Sequence, residues 1–311
     1  MERSQHWYVV ASSREIRSKP VAKRRFGTTY VLWRNQSGAV ICLPDRCPHR
    51  GASLSQGALV EGAIQCPYHG FRFDERGACT LIPCQPDKPI PKRMRLDPPE
   101  ICEQDGWVWM WRGHPGGERP RPPTSELYAD FVYGEISSEW DAHFVRVLEA
   151  QIDYTHVPFV HRTSFGRNMD PKMDIAIETA PGSFRARLVG RPEENFQFIE
   201  LLYPNVWINR TGDKVQIISA FAPIDEHRCE MYVRFCQRFM TAPLLGRAIA
   251  ELGAWLSRRV IGEDLPVVAA QLPQAVEETE DVLLASDVTV TTYRKMRRMA
   301  FKAYRERPER A

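Results

Sequence analysis

Between Cys47 and Gly70 the chain reads CPHRGASLSQGALVEGAIQCPYHG. Two mixed pairs, Cys47-x-His49 and Cys66-x-x-His69, stand sixteen residues apart. Each pair supplies one thiol and one imidazole. Each lies in a turn-like run, with Pro48 and Gly51 in the first and Pro67 and Gly70 in the second. Four such donors on two short loops are built to hold a metal. Zinc accepts a set of two Cys and two His. Zinc ribbons and fingers usually group like donors on one loop, however, whereas here each loop gives one of each.

The chain has 311 residues, enough for two domains with separate cores. A net charge of +3 names no partner, and no nucleic-acid motif is present. No run of about 18 apolar residues occurs, so no membrane span is expected. The start, MERSQHWYVVASSREIR, lacks the apolar stretch of a secretory signal, so a cytoplasmic, reducing location is expected. In that setting the eight cysteines read as ligands or packing groups rather than disulfides. Cys47 and Cys66 have histidines at ligand spacing; the other six read as small buried hydrophobes.

Residues 6–113 read as short strands and turns. HWYVVASS, TTYVLWRN and AVICLPD are rich in β-branched and aromatic residues, and NQSG at 35–38 is a hairpin turn signal. FRFDERGACTLIP reads as a second hairpin and GWVWMWRG as another strand. HPGGERPRPPTSE is a linker by composition. Beyond it, HFVRVLEAQIDYTHVPFVH has helical spacing interrupted near Pro158. FRARLVG, FQFIELLYPNVWINR, KVQIISAFAPI and CEMYVRFCQRF read as strands of one broad antiparallel sheet. LLGRAIAELGAWLSRRVIGEDLPVVAAQ and VTTYRKMRRMAFKAYRE read as helices. The expected class is α+β, with an all-β domain at 1–115, a linker at 116–126 and a sheet-and-helix domain at 127–311.

The mixed pairs resemble a Rieske [2Fe–2S] centre, in which one iron takes two Cys and the other two His. Cys47, His49, Cys66 and His69 are then the cluster ligands. The respiratory-complex kind adds a disulfide between its loops; the corresponding positions here are Ala52 and Tyr68. It also has a Ser two residues after the second His, where this chain has Phe71. Fewer hydrogen bonds to the sulfurs imply a low-potential centre. Arg50 and Gly51 complete the C-P-H-R-G form common in oxygenases.

In IDYTHVPFVH, Asp153, His156 and His161 form a D-x-x-H-x-x-x-x-H array. On a helix Asp153 and His156 share a face. His156 and His161 are separated by about 140° on an ideal helix, so they meet one ion only if the helix distorts, and Pro158 lies between them. With the upstream pairs, the chain resembles the catalytic alpha-type subunit of a Rieske non-heme iron oxygenase. That family implies a helix-grip catalytic domain and a mononuclear Fe(II) held by two histidines and one carboxylate.

By resemblance, His156 and His161 are iron ligands and the carboxylate comes from GEDLPVVAAQ. Asp264 falls at the ligand position there, with Glu263 as its rival. Asp153 is implied to bridge His156 to the cluster ligand His69 of an adjacent subunit in a homotrimer. Many members carry Asn where this chain has Ala150, which sits between Glu149 and Gln151.

The resemblance implies O₂-dependent hydroxylation or oxidative demethylation of a small aromatic or cyclic substrate. Electrons come from NAD(P)H through a separate reductase or ferredoxin. The chain's length favours the monooxygenase and demethylase branch, with cis-dihydroxylation the other product class. A non-catalytic second domain on an electron carrier, and a zinc-stabilised binding module, are the alternatives. Phe196, Phe198, Tyr203, Trp207, Asn209 and Phe221 are pocket candidates, with Asn209, Trp207 and Phe221 foremost. The basic run from Arg294 to Arg310 reads as a solvated helix face or a docking site for an acidic ferredoxin.

Overall fold

The structure, a computed structural model, describes residues 4–114, 119–123, 130–190, 198–272 and 280–306. Most of the 116–126 linker lies outside them, as do Phe196, Arg307 and Arg310. The chain separates into two compact units. One is Val9–Trp111; the other combines Met1–Tyr8 with Arg112–Ala311.

The expected strands of the first third are present. They are β1 (His6–Ser12), β2 (Val21–Arg25), β3 (Thr28–Arg34), β4 (Val40–Pro44), β5 (Ala58–Val60), β6 (Ala63–Gln65), β7 (Arg72–Phe73), β8 (Cys79–Leu81), β9 (Ile101–Gln104) and β10 (Trp107–Arg112). They form three small sheets of order β1-β10-β9, β2-β3-β4 and β5-β6-β7-β8. The Asp74–Gly77 hairpin turns as its sequence implies: Gly77 has φ +75° and donates its N–H to the Asp74 carbonyl at 3.0 Å. A side chain at Gly77 would also strike the Leu96 carbonyl, so both its conformation and its surroundings demand glycine. One buried cluster joins Val31, Trp33, Leu43, Ile64 and Phe73, and it includes Cys47 and Cys66. The two candidate ligand thiols are therefore anchored in the core of this unit.

The second unit is built on β11 (Val132–Trp140), β12 (Ile175–Ala180), β13 (Ser183–Leu188), β14 (Phe198–Leu202), β15 (Val206–Arg210), β16 (Val215–Pro223) and β17 (Cys229–Gln237). Their order is β11-β17-β16-β15-β14-β13-β12, antiparallel throughout. The chain thus leaves β11, makes α1 (Phe144–Ile152) and α2 (Val157–Val160), and returns as a six-strand meander. The run FQFIELLYPNVWINR, expected as one strand, splits into β14 and β15. The Tyr203-Pro204-Asn205 corner separates them, and the Asn205 amide donates to the Phe221 carbonyl at 2.9 Å. β12 was not anticipated: its residues are half-buried or exposed, so its apolar signal is weak.

Two helices complete the unit, α3 (Pro243–Ala269) and α4 (Val288–Glu306). Small residues let α3 lie close on the sheet. A Cβ at Gly134 would fall 2.3 Å from the Ala250 carbonyl oxygen, and one at Gly253 would fall 2.4 Å from the Phe235 ring. Ala250 and Ala254 are fully buried. This close approach fixes the helix whose far end carries Asp264.

The basic run is not a uniformly solvated face. Arg297 is buried, with its guanidinium over the rings of Phe144 and Phe301. Arg294 clamps Glu149 of α1 through two contacts of 2.7 and 2.9 Å and reaches Asp281 at 2.7 Å. Arg146 of α1 also meets Asp281, at 2.9 Å. Lys295, Arg298, Lys302 and Arg305 remain exposed.

Candidate metal centres

The Cys47 and Cys66 loops close in the same way. Cys47 N–H donates to the Ala52 carbonyl and Gly51 N–H to the Cys47 carbonyl, both at 2.9 Å. Cys66 N–H donates to the Phe71 carbonyl at 2.8 Å and Gly70 N–H to the Cys66 carbonyl at 3.1 Å. Gly51 and Gly70 take φ of +78° and +71°. Two matched turns thus present Cys and His from each side.

Both thiols are buried, and burial, ahead of the neighbouring Cys66, pushes Cys47 up to about 11. The His49 ring is exposed and the His69 ring half-buried, and their Nδ1 atoms lie 3.2 Å apart. Burial, then the charges of His49 and Arg50, lowers the His69 pKa. Two buried thiols and two paired imidazole nitrogens, one of each from either loop, fit the two-Cys, two-His donor set that would hold a Rieske [2Fe–2S] cluster. Phe71 stacks on His49 with centroids 4.8 Å apart, and Tyr68 lies 3.8 Å from His69. All eight cysteines are free, so no disulfide joins the two loops.

The second set assembles differently from the sequence expectation. Asp153, His156 and His161 do not share one distorted helix. Asp153 is the extended C-cap of α1, at φ −82° and ψ 134°. His156 and His161 bracket the single turn of α2 as its N-cap and C-cap. Pro158 sits at the start of that turn, where a missing N–H is tolerated, so it fits the helix rather than distorting it. The break in the helix after α1 brings the two imidazoles together: their centroids are 5.3 Å apart.

Asp264, from the distant end of α3, completes the set. Its Oδ1 lies 3.6 Å from His156 Nε2 and 3.1 Å from His161 Nε2. One donor atom from each of these three residues lies within 4.8 Å of the others. Asp264 and His161 are each 2% exposed, and Asp264 Oδ1 is buried without a hydrogen-bond partner. A buried, unsatisfied carboxylate oxygen facing two imidazole nitrogens is costly unless a cation joins them. The donor set, two His and one carboxylate, fits a non-heme iron.

Each donor is held by a partner on its far side. Asp153 Oδ2 lies 3.2 Å from His156 Nδ1, while Asp153 Oδ1 accepts from the N–H and hydroxyl of Thr155, both at 2.8 Å. Burial opposes the Asp153 charge, yet these hydrogen bonds prevail and lower its pKa. Glu263 Oε2 lies 2.8 Å from His161 Nδ1 and accepts from the Ser164 hydroxyl at 2.6 Å, and Thr163 donates to its other oxygen. Burial works against its charge, but the three hydrogen bonds hold Glu263 down to about 2. Burial likewise favours neutral His161, and the Asp264 and Glu263 carboxylates outweigh it and raise the pKa. Glu263 therefore faces the back of His161, while Asp264 faces the nitrogens. The Gln151 amide donates to Asp264 Oδ2 at 3.1 Å. Sequence reasoning passed over Gln151: nothing in the run EAQID signals a contact 113 residues away.

A cavity of about 340 Å³ opens beside this set, bounded by Ala150, Asp153, His156, Val160, Asp264 and Val268 among others. Trp207, Asn209 and Phe221 do not line it. Strand register pairs Asn209 with Ile217 and Ile217 with Phe235, Trp207 with Ser219, and Phe221 with Met231. Paired residues, and residues two apart, share a face. The three candidates thus share the sheet face on which Phe235 meets α3. Trp207 Nε1 is buried there without a hydrogen-bond partner, and Phe221 is fully buried.

The Rieske [2Fe-2S] domain model matches residues 6–93. Aminopyrrolnitrin oxygenase PrnD of Pseudomonas fluorescens is 33% identical over 50% of this chain and 45% of its own length. Methylxanthine N1-demethylase NdmA of Pseudomonas putida is 27% identical over 86% of this chain and 78% of its own. The chain spans about half the length, or less, of several curated relatives it matches. The crystal structure of dicamba monooxygenase bound to dicamba superposes with a TM-score of 0.81 over 98% of this chain and 99% of that one. At 22% identity that likeness establishes the fold. The chain thus carries a Rieske [2Fe–2S] domain, followed in sequence by a helix-flanked antiparallel sheet, has the fold of dicamba monooxygenase, and is similar in sequence to an oxygenase and an N1-demethylase.

Proposed function

We propose that the chain is a terminal oxygenase component. It hydroxylates or oxidatively demethylates a small aromatic or cyclic substrate with O₂, using electrons from NAD(P)H delivered by a separate reductase or ferredoxin. The observation that carries this is the orphaned Asp264 Oδ1 between two imidazole nitrogens, in a chain that also carries a Rieske domain. Its relatives, an oxygenase and an N1-demethylase, support the reaction class.

Cys47, His49, Cys66 and His69 hold the cluster, and His156, His161 and Asp264 hold the iron. When bound, the cluster supplies one-electron transfer and the iron supplies O₂ activation. Asp153 fixes the His156 ring and leaves Nε2 as its free nitrogen; Glu263 does the same for His161. The cavity at Ala150 and Val160 gives a substrate room beside the triad without ligating it.

Asp153 is 20% exposed at its side chain, and His69 is half-buried on its own loop. That partial exposure supports a homotrimer in which Asp153 faces the partner subunit's His69. The exposed Lys295, Arg298, Lys302 and Arg305 favour an acidic donor, and eight free cysteines suit a cytoplasmic location. Among the described residues no helix is long and apolar enough to cross a membrane.

The test is product formation from aromatic methyl ethers, N-methyl heterocycles and phenols, with reductase, NADH and O₂. Formaldehyde or a hydroxylated product is expected from the native chain. Asp153→Asn is expected to keep both metals and lower turnover by about tenfold or more. Normal turnover in that variant contradicts the bridging role, and product from an Asp264→Ala variant contradicts the proposed reaction.

A further inference from the structure

We infer that Gln151 is a positioning residue for the iron: its side-chain amide fixes the rotation of Asp264, so that one carboxylate oxygen faces the two imidazoles. The inference rests on the assignment of His156, His161 and Asp264 as the mononuclear iron ligands.

A carboxylate has two equivalent oxygens, and nothing in its chemistry chooses between them. In this structure the choice is made. Gln151 Nε2 donates to Oδ2 at 3.1 Å, and Oδ1 is left buried, unsatisfied and turned toward both Nε2 atoms. Asp264 is 2% exposed, and the Gln151 amide is the donor that meets its Oδ2.

The three donors are restrained alike. Asp153 holds the far nitrogen of His156, Glu263 that of His161, and Gln151 the far oxygen of Asp264. A neutral amide suits the third position. Asp153, Glu263 and Asp264 already crowd three carboxylates around two imidazoles, and an amide orients Asp264 without adding a fourth negative charge. The contact joins the last turn of α1 to the end of α3, and α1 is itself tied to α4 by the Glu149–Arg294 clamp. The amide is therefore presented from a fixed helix rather than from a loop. Its neighbour Ala150 carries no polar group and lines the cavity, so Gln151 is the amide in this stretch that reaches Asp264.

The experiment is anaerobic Fe(II) titration of chain that holds its [2Fe–2S] cluster but has been stripped of mononuclear iron. It compares the native chain with Gln151→Leu, Gln151→Met and Asp264→Ala. The nitric oxide adduct of each Fe(II)-loaded form is then examined by EPR. Both Gln151 variants are expected to bind Fe(II) about 10- to 100-fold more weakly and to shift the nitrosyl signal, with the cluster signal unchanged. Met matches Gln in length and lacks the side-chain amide, so it decides the matter if Leu perturbs folding. Native affinity together with a native nitrosyl spectrum in the Met variant overturns the inference. A native chain that takes up no Fe(II), or an Asp264→Ala variant that binds it normally, overturns instead the ligand assignment beneath it.

Discussion

Asp264→Ala is expected to strip the mononuclear iron and abolish turnover while the brown cluster survives. Asp264 contributes nothing to the matched Cys–His turns, which close through their own backbone and are anchored in a separate core. It contributes one of three donors to the second set. Removing an outer-shell partner of a metal site already costs about 10- to 100-fold in affinity, and removing the ligand itself costs more. Loss of the carboxylate also leaves His156 and His161 without the acceptor that balances a cation. Metal analysis beside cluster EPR checks both halves of the result. Glu263→Ala is the informative companion. Glu263 is committed to His161 Nδ1, Ser164 and Thr163, so its loss should weaken iron binding without abolishing it. Full iron retention in Asp264→Ala with complete loss in Glu263→Ala would transfer the ligand role to Glu263.

The second large effect is on stability. Arg294→Met is expected to destabilise the sheet-and-helix unit by about 3 kcal/mol, because it removes one partner from a largely buried charge network. Arg146, Glu149 and Arg294 have side chains 6%, 8% and 12% exposed, so the charges left behind are poorly solvated. In a unit of this size that loss corresponds to a fall in melting temperature of about 6–12 °C. The effect has a defined pH dependence. Burial raises the Asp281 pKa, but the bonds from Arg146 and Arg294 outweigh it and lower the pKa overall. Its contribution is therefore present above the ordinary carboxylate range and is lost as pH falls through the lowered value. The difference between native and variant melting temperatures should narrow in acid. An equal difference at neutral and acidic pH, measured by thermal denaturation, contradicts this account.

Local features of the chain were legible and long-range ones were not. The turns at Cys47 and Cys66 announce themselves because spacing, Pro and Gly all lie within a few residues. The same holds for the hairpins at Asn35–Gly38 and Asp74–Gly77, where Asn35 and Asp74 side chains bond their own turns. His156 and His161 were found from their array, but their geometry was misread. A periodicity argument treats EAQIDYTHVPFVH as one helix, whereas Asp153 ends α1 and one further turn carries both imidazoles. Charge patterning on α4 could not reveal that Arg294 is spent on Glu149, 145 residues away. Nor could it separate Asp264 from Glu263, which are adjacent in sequence and differ in which imidazole atom they face. Gln151 escaped notice for the same reason: its role exists only once α1 and α3 are brought together.

The central claim is that one chain holds two distinct iron centres. The most direct test is iron and acid-labile sulfide per chain on anaerobically purified protein, beside its low-temperature EPR spectrum. About three irons and two sulfides with a Rieske signal is the expected result. About two irons and two sulfides, unchanged after Fe(II) is added, would contradict the mononuclear site, and zinc without sulfide would contradict both.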